Sequence, residues 1–408
     1  MKRYVLVGTG HRAHEMFIRP IKQDFDGRAD IVGIYDINPI RAAYIAKKFG
    51  IRQFGSFDEM LDAIRPDGVI VTTRDCNHHE YVLRALRKGY DVLCEKPVTN
   101  TPQKCFDIAK AERETGKKVT VTFNCRFMPL YSAVKRLVAD NRIGRVLSVN
   151  YEYMVGEWHG ADYFRRWHRR MENSGGMLIH KATHHFDIAN WIIGDTPIAV
   201  SAVGNRIRFG DAGVSLGRRC SVCAGKSRCP YYWPIENDAE MGDFYEKLYL
   251  DAESADGYVR DACVFDREID IYDQMSVNVR YKNGAILTYS LILTSPYEGY
   301  KLTVTGETGR IEAHESDRET DRDYLVKVFD RRGGEEITVA RNIGAHGGGD
   351  QLLRETIFMD GKDDLGRKAT LADGIITVLT GWAANQSIAE RRTVSIPDIC
   401  KKFQDREG

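Results

Sequence analysis

The stretch that decides the fold is MKRYVLVGTGHRAHEMF, residues 1–17. An apolar run, Tyr4–Val7, leads into the turn Gly8-Thr9-Gly10 and then into a helical pattern. Glycine is needed twice because the chain must turn tightly and then let its backbone approach a pyrophosphate group at the start of the helix. The stretch therefore predicts a dinucleotide site. Its expected contacts with the dinucleotide come from Gly8, Gly10, His11, Arg12 and Ala13.

The same alternation of apolar runs and amphipathic segments continues to about residue 124. Parallel strands that are covered on both faces are nearly continuous in apolar residues, and glycine commonly ends the helices between them. We therefore predict a doubly wound α/β domain, a Rossmann fold, over residues 1–124. Its predicted strands are Tyr4–Val7, Ile31–Tyr35, Val69–Thr72, Val92–Cys94 and Val119–Phe123, and its predicted helices are Pro39–Lys48, Phe57–Ile64, His79–Lys88 and Pro102–Thr115.

From residue 125 the pattern changes to long strands in which apolar and polar residues alternate. Residues 277–293 show this alternation on both sides of Asn283-Gly284, which is typical of a two-residue hairpin. We expect residues 125–408 to form an α/β domain with a large, mostly antiparallel open sheet. An irregular Cys-rich insertion is expected at about residues 210–263, and closing helices are expected at Leu352–Met359 and Leu371–Ala389.

Composition excludes several classes of protein. The 408 residues include 59 Lys and Arg against 58 Asp and Glu, which leaves no net field to attract nucleic acid or an anionic membrane. No apolar run approaches the roughly 18 residues that span a bilayer. Nine Cys in a long chain without a signal sequence argue against a disulfide framework. We expect a cytoplasmic protein that binds neither nucleic acid nor membrane.

The residue that ends the second strand indicates which dinucleotide is bound. Asp36 would accept hydrogen bonds from the ribose hydroxyls and would repel a 2′-phosphate, so NAD is expected rather than NADP. Arg41 lies a turn further on. It could pair with a 2′-phosphate, stack on adenine or simply be solvated, and the sequence leaves these alternatives open.

Glu95-Lys96-Pro97 follows the strand Val92–Cys94, at the sheet edge where ligands of open α/β folds bind. Lys96 is a candidate proton donor or electrostatic anchor, with a merely solvated Lys as the alternative. Three elements occur in order: the glycine turn, this EKP, and the run SGGMLIHKATHHFD at residues 174–187. With Thr73 and His78 of TTRDCNH, they resemble the glucose-fructose oxidoreductase/inositol dehydrogenase/MocA (Gfo/Idh/MocA) family. Thr73, His78, Glu95 and Lys96 are then expected to contribute to the cofactor site.

The resemblance implies the catalytic residues. Lys96 matches the catalytic Lys of the family, and His184 matches the His that takes the substrate proton. The commonest family pattern has Asp four residues before that His, where this chain has His180. Two imidazoles near Lys96 would depress one another's pKa and keep a neutral base available. Asp187, on the same helical face, could orient His184.

His180 and His184 also have the i, i+4 spacing of zinc helices, but no Glu stands at the position that a zinc protease needs. A catalytic zinc is therefore the weaker interpretation. Residues 157–170, EWHGADYFRRWHRR, are densely aromatic and cationic, which favours a sugar-binding loop over a polar surface loop. The expected substrate contacts are Lys96, Asn124, Arg126, His159, Tyr163, Arg166, Trp167, Lys181 and His184.

Three thiols lie close together in the irregular insertion, at Cys220, Cys223 and Cys229. With Cys263 as a fourth ligand they predict a structural zinc, which would order a loop that burial alone could not order. An iron-sulfur cluster and free thiols are the alternatives.

The leading functional hypothesis is an NAD-dependent dehydrogenase acting on a secondary hydroxyl of a sugar, polyol or glycoside. Two alternatives stay open. One is a glycoside hydrolase that retains NAD and works through transient oxidation at C3 and elimination, as some relatives do. The other is a non-catalytic, NAD-responsive binding protein. The resemblance further implies a homodimer or homotetramer assembled through the sheet of the second domain.

Overall fold

The computed structural model describes residues 1–213, 215–359 and 361–404 and contains two sheets. In the first sheet six parallel strands run in the order β6-β5-β4-β1-β2-β3, and β15 adds an antiparallel edge beside β6. The order reverses between β1 and β4, and in open α/β sheets the ligand crevice lies at such a reversal. The strands are β1 (Lys2–Val7), β2 (Ala29–Tyr35), β3 (Arg52–Gln53), β4 (Gly68–Val71), β5 (Val92–Cys94), β6 (Val119–Val121) and β15 (Ala369–Thr370).

Helices cover both faces of this sheet, as the sequence pattern predicts. Their starts are capped locally: the Asn38 side chain accepts from the Arg41 N–H, and the Ser56 hydroxyl accepts from the Glu59 N–H. The helices are α1 (His11–Ala13), a π turn (His14–Ile18), α2 (Arg19–Asp24), α3 (Pro39–Phe49), α4 (Phe57–Ile64), α5 (Asp75–Arg87) and α6 (Pro102–Thr115). The first three are consecutive segments of residues 11–24.

The second sheet has nine strands in the order β14-β13-β12-β11-β7-β10-β9-β8-β16. Among the strands described for this sheet only the β7–β10 pair is parallel, and β9 and β10 form the predicted hairpin around Asn283-Gly284. The strands are β7 (Val146–Gly156), β8 (Pro197–Asn205), β9 (Gln274–Tyr281), β10 (Ile286–Ser295), β11 (Gly299–Gly306), β12 (Gly309–Ser316), β13 (Tyr324–Asp330), β14 (Gly333–Val339) and β16 (Val394–Ser395). The predicted fold class is confirmed.

Helices of the second half connect this sheet to the first. They are α7 (Pro129–Ala139), α8 (Glu157–Arg165), α9 (Met171–Ser174), α10 (Met177–His180), α11 (Ala182–Ile193), α12 (Glu253–Asp256), α13 (Gly349–Phe358), α14 (Leu371–Glu390) and α15 (Ile396–Gln404). Single 3₁₀ turns lie at Asn124–Phe127, Trp167–Arg169, Gly210–Ala212, Lys226–Arg228, Ile235–Asn237 and Ala345–Gly348, and a π turn lies at Glu246–Leu250. Neighbouring strands β8 and β9 are joined by residues 206–273, called the insertion below.

The chain returns to the first sheet near its end. β15 pairs with β6, and Leu371 and Val378 of α14 pack into the same core as the strands of the first sheet. Residues 1–124 therefore share their core with a later segment, although the predicted boundary does follow β6. Within the described residues no helix is both long enough and apolar enough to cross a bilayer. The cytoplasmic location and the assembly through the second sheet stay predictions.

Candidate active site

The glycine turn after β1 has the geometry that a dinucleotide site requires. Gly8 has φ +89°, and a Cβ there would lie 2.8 Å from the backbone of Thr72, so only glycine fits between β1 and β4. A Cβ on Gly10 would meet no described atom nearer than the Tyr249 hydroxyl, at 3.7 Å. The backbone of the turn is thus open to a ligand at Gly10, and the N–H groups of Arg12 and Ala13 follow, whereas the His11 N–H donates to the Tyr249 hydroxyl. These residues fit NAD.

Asp36 directly follows β2, beside this turn, and is almost fully buried. Its carboxylate accepts hydrogen bonds from the Thr9 N–H at 2.6 Å and from the Asn38 N–H at 2.8 Å. Arg41 contacts the same carboxylate at 3.3 Å and pairs with Asp256 at 3.1 Å. Because two carboxylates neutralise the Arg41 guanidinium, it is less available to bind a 2′-phosphate, which favours NAD.

We expect isothermal titration to give NAD a Kd at least about tenfold below that of NADP, since a buried carboxylate repels the 2′-phosphate. Replacing Asp36 by Ala should narrow the difference. Arg41→Ala is the matched variant, because it removes the neighbouring cation and should not turn the preference toward NADP. Tighter binding of NADP than of NAD by the wild-type protein would contradict the assignment of Asp36.

Lys96 follows β5 at the carboxyl edge of the first sheet. Its ammonium donates to the His180 carbonyl oxygen at 3.2 Å, which fixes it against the end of α10. Burial and, to a lesser extent, the charges of Lys181 and Arg12 lower the pKa of Lys96 to about 8, against the raising effect of Asp75 and Glu95. Lys96 can therefore both donate and release a proton near neutral pH.

Two other residues of this edge are bound within the protein. His78 joins the loops after β4 and β5, because its ring nitrogens lie 2.8 Å from the Pro97 carbonyl oxygen and 3.0 Å from that of Thr73. Glu95 accepts from Arg12 at 2.9 Å. These residues shape the loops around the nucleotide crevice, and the direct cofactor contacts expected of them stay predictions.

His184 lies in the first turn of α11, is buried and lines a cavity. Burial and the charge of Lys96 hold the pKa of His184 well below its usual value, so the imidazole is neutral at pH 7. Its Nδ1 has no hydrogen-bond partner within the described chain. A neutral imidazole that lines a cavity can accept a proton from a bound hydroxyl.

His180 has a partner that sequence reasoning missed. Its Nδ1 lies 2.7 Å from Oδ2 of Asp75, the first residue of α5, and both side chains are buried. Burial raises the pKa of Asp75 and lowers that of His180, so one hydrogen lies between the two groups. The carboxylate that the commonest family pattern has at position 180 is supplied here from another helix. The sequence signal that could have identified Asp75 is its position: it is a polar residue just after a parallel strand, at the ligand edge of the sheet.

Asp187 does not orient His184, so that expectation is wrong. Both carboxylate oxygens of Asp187 accept from Arg126, at 2.7 and 2.5 Å, and Arg126 also pairs with Asp373 at 3.2 Å. Arg126 was expected to contact substrate, but its guanidinium is buried among these carboxylates. Breaking such a buried pair leaves an uncompensated charge, which gives Arg126 a structural role.

Asn124 and Arg12 meet at Asp350, a residue of α13. Arg12 donates to Asp350 at 3.0 Å, the Asn124 amide donates to the same carboxylate, and His346 lies 3.1 Å from it. The ring of His346 is 6.3 Å from that of His184. Asp350 therefore connects the helix after the glycine turn with the wall of the cavity, and Asn124 supports that wall.

The cavity beside His184 has a volume of about 980 Å³, which is near the upper end of small-molecule sites. Its inner wall combines aromatic rings with charged groups, and the Lys181 ammonium lies 5.0 Å from the centre of the Tyr153 ring. This combination suits a ring that has apolar faces and hydroxyl edges. Further lining residues are Cys125, His159, His185, Glu298, Tyr300 and Tyr324.

The aromatic and cationic side chains of residues 157–170 do not all lie at the cavity. His159 lines the cavity and bridges Glu298, at 2.8 Å, to the Tyr163 hydroxyl, at 3.0 Å. Trp167 stacks on His168 at 3.6 Å, and the ring of His168 lies 4.1 Å from that of His180. Arg166 instead pairs with Asp162, and burial together with the charge of Arg166 lowers the pKa of His11. The substrate contacts expected of Tyr163, Arg166 and Trp167 stay predictions.

The predicted structural zinc is wrong. No group of three or more His, Cys, Asp or Glu side chains in the described ranges could hold a metal ion. Arg165 donates to the Cys220 sulfur at 3.2 Å, and burial raises the pKa of that thiol despite the nearby guanidinium. Ser215 donates to the Cys263 sulfur at 3.6 Å. The prediction assumed that burial could not order the insertion. The insertion does contribute buried side chains: Tyr231, Ile235, Phe244, Leu248, Tyr249 and Val264.

Comparison with protein families gives two matches that together span most of the chain. The model described as "Oxidoreductase family, NAD-binding Rossmann fold" (GFO_IDH_MocA) matches residues 2–123. The model of the C-terminal alpha/beta domain of the same family matches residues 135–396. The two matches follow the two sheets.

Individual proteins are similar over different lengths. YteT of Bacillus subtilis, provisionally named as an oxidoreductase, is 38% identical over 98% of this chain and 99% of its own length. The inositol 2-dehydrogenase of Rhizobium meliloti is 29% identical over 52% of this chain and 62% of its own. A levoglucosan dehydrogenase solved with NADH and levoglucosan superposes with a TM-score of 0.68 at 20% identity, covering 97% of this chain and 99% of the other.

Proposed function

Because the chain belongs to the Gfo/Idh/MocA family of NAD-binding oxidoreductases, we propose that it transfers hydride between NAD and a secondary hydroxyl of a sugar, polyol or glycoside. The observation that carries the proposal is His184, which lines the cavity and whose pKa is held well below its usual value by burial and by the charge of Lys96, so that it is neutral. NAD, when bound, supplies the hydride acceptor. The protein must then bind the hydroxyl, orient it and remove its proton.

His184 takes the proton from the hydroxyl oxygen as the carbon is oxidised. Lys96, as an ammonium group, donates a hydrogen bond to the same oxygen and stabilises the negative charge that develops there. The two roles are compatible because the charge of Lys96 keeps the neighbouring imidazole neutral. In the reverse direction His184 returns the proton to the carbonyl oxygen.

Asp75 acts through His180 and is therefore a positioning residue. The hydrogen bond at 2.7 Å fixes the ring of His180, whose carbonyl oxygen in turn accepts from Lys96 at 3.2 Å. The dyad thus holds the ammonium group in place through the backbone of His180. It also provides a second proton-exchanging pair next to Lys96.

The pH dependence of kcat/KM should report Lys96. With a pKa of about 8, Lys96 loses its proton as pH rises, so we expect kcat/KM to fall above about pH 8. On the acid side it should fall only well below pH 6.5, because the pKa of His184 is lowered. Lys96→Arg keeps the positive charge at high pH. The activity that remains in this variant should therefore not show the fall of kcat/KM above about pH 8. An unchanged decline in that variant would contradict the role of Lys96.

A second candidate is a redox-neutral reaction in which NAD is reduced and reoxidised at the same site, as in a glycoside hydrolase acting by C3 oxidation and elimination. The Asp75–His180 dyad favours it, because elimination needs an additional acid or base. A relative from Escherichia coli, 27% identical over 52% of this chain, is named a 2,7-anhydro-N-acetylneuraminate hydratase.

Incubating the protein and NAD with sugars, polyols, anhydrosugars and glycosides tests the two candidates. Accumulation of NADH with a matching amount of ketone product supports the dehydrogenase. Cleavage of a glycoside without net NADH supports the redox-neutral reaction and overturns the dehydrogenase. If the protein binds NAD but shows neither activity, the hypothesis that remains is a non-catalytic, NAD-responsive binding protein.

A further inference from the structure

The insertion reaches across the nucleotide crevice. Phe244 packs on the His14 ring, with ring centres 4.4 Å apart, and Leu248 and Tyr249 belong to the same apolar core as β1 and β2. The segment Phe244–Arg260, called the strap below, therefore lies on the first domain although the second sheet carries it at both ends. Its contacts are concentrated on the residues that surround the nucleotide.

One contact of the strap lies at the glycine turn, where the pyrophosphate is expected, and it is made by the Tyr249 hydroxyl. The His11 N–H, just after the glycine turn, donates to the Tyr249 oxygen at 3.0 Å. A phenol that accepts this bond keeps its own O–H to donate. No other partner of that hydroxyl occurs in the described ranges, so it can turn its hydrogen toward an anion at the turn.

The strap also binds the residues that surround the ribose site. Arg41 donates to the Leu248 carbonyl oxygen at 3.2 Å and pairs with Asp256, and the Asn38 amide donates to the Ala252 carbonyl oxygen at 2.8 Å. These contacts tie the strap to the loop that carries Asp36. Movement of the strap would therefore disturb the ribose end of the site as well as the turn.

The end of the strap brings positive charge to the same place. Arg260 is 3% exposed and donates to both oxygens of Asp162, while its Nε has no partner in the described chain. Arg166 pairs with Asp162 as well. Two guanidinium groups thus share one carboxylate, which leaves one positive charge in excess. The Arg260 guanidinium lies 5.6 Å from the centre of the Tyr249 ring, whose hydroxyl contacts His11. Burial, together with the charges of Arg166 and Arg260, lowers the pKa of His11 to about 4.

We propose that the strap completes the NAD site: the Tyr249 hydroxyl and the paired charges of Arg260 and Arg166 hold the pyrophosphate against the glycine turn, so that NAD leaves only when the strap detaches. NAD is then retained by the protein rather than exchanged freely. The inference rests on the NAD binding in the proposed function. It does not depend on which substrate is oxidised.

The dissociation rate of NAD tests the strap. The full-length protein is loaded with radiolabelled NAD⁺, desalted and diluted into excess unlabelled NAD⁺, and the label that stays bound is followed with time. Tyr249→Phe removes one hydrogen bond to a charged group, so release should be about tenfold faster, which corresponds to about 1.4 kcal/mol. Tyr232→Phe, in the same insertion, is the matched control and should release NAD at the wild-type rate.

Hydrogen exchange gives a readout that does not depend on a variant. Exchange of the backbone amides of the strap, followed by mass spectrometry, should slow in the wild-type protein when NAD⁺ is added. Equal release from wild type and Tyr249→Phe, with no change of exchange in the strap, would overturn the proposal. Tighter NAD binding by Tyr249→Phe would also overturn it, because the phenol would then compete with the nucleotide.

The failure of the strap and the failure of the proposed function can be told apart. If NAD binds but is released equally fast by all three proteins, and NAD⁺ does not slow hydrogen exchange in the strap, the strap proposal is wrong and the proposed hydride transfer is unaffected. If NAD is retained as expected but no sugar, polyol or glycoside is oxidised, the strap stands and the proposed function falls. A wild-type protein that binds no NAD would overturn both.

Discussion

Turnover falls by about a hundredfold or more when Lys96 is replaced by Met or His184 by Ala, because both variants lose proton transfer or charge stabilisation at the reacting oxygen. NAD affinity should stay close to that of wild type, since neither side chain belongs to the glycine turn. The measurement is kcat with the best substrate found, together with titration of NAD.

His79→Ala is the matched control for these variants. His79 lies on α5 and pairs with Asp107 at 3.0 Å, so its loss removes an imidazole without entering the cavity. It should retain nearly full turnover. Normal turnover in both Lys96→Met and His184→Ala would remove them from the mechanism.

Replacing His180 by Asp lowers kcat by at least about tenfold near pH 7, because the new carboxylate faces Asp75. Two buried carboxylates repel each other, by about 4 kcal/mol at 4 Å for an effective dielectric constant of 20, so one of them must take up a proton. The hydrogen bond that fixes position 180 then depends on pH. We expect the activity of this variant to recover partly as the pH is lowered.

The second substitution Asp75→Asn in the His180→Asp background should restore most of the lost turnover, since the amide can donate to the new carboxylate. Asp75→Asn alone is the control, and it should shift the pH profile of kcat more than it changes KM. Full activity of the single variant His180→Asp with Asp75 in place would contradict the positioning role of Asp75.

Five of the seven strands described for the first sheet could be predicted from local sequence, because each carries its own apolar signal; the two-residue strands β3 and β15 carry none and were not predicted. Val92–Cys94 is predicted and observed with identical bounds, since a strand buried on both faces must be apolar throughout. Lys96 could be located at the ligand edge for the same reason: the end of a parallel strand fixes the position of the residues that follow. Local pattern thus determines where the candidate site lies.

Pairings between distant residues could not be predicted in this way. Asp75 and His180 are 105 positions apart, and neither residue indicates the other. Asp187 has helical spacing to His184, but the stronger partner is Arg126, whose fork of donors matches a carboxylate. Tyr249 has no local signal at all, because its role depends on how residues 206–273 cross the crevice.

The zinc prediction was wrong for a related reason. The Cys spacing at residues 220–229 was interpreted with the assumption that the insertion lacks a core of its own. Phe244 and Leu248 are buried in the core of the first domain. Burial therefore stabilises the ordered conformation that a metal was expected to stabilise. The spacing of Cys residues predicts a structural metal only when no other interaction can order the loop.

The central claim, that His184 removes a hydroxyl proton while hydride leaves the same substrate, is tested most directly in a single turnover. Wild-type protein loaded with NAD⁺ is mixed rapidly with each candidate substrate, and the absorbance of reduced nicotinamide is recorded. The proposal predicts rapid formation of NADH with at least one sugar, polyol or glycoside, slowed by about a hundredfold or more in His184→Ala. NADH formation that is equally fast in both proteins, or absent with every substrate, would contradict it.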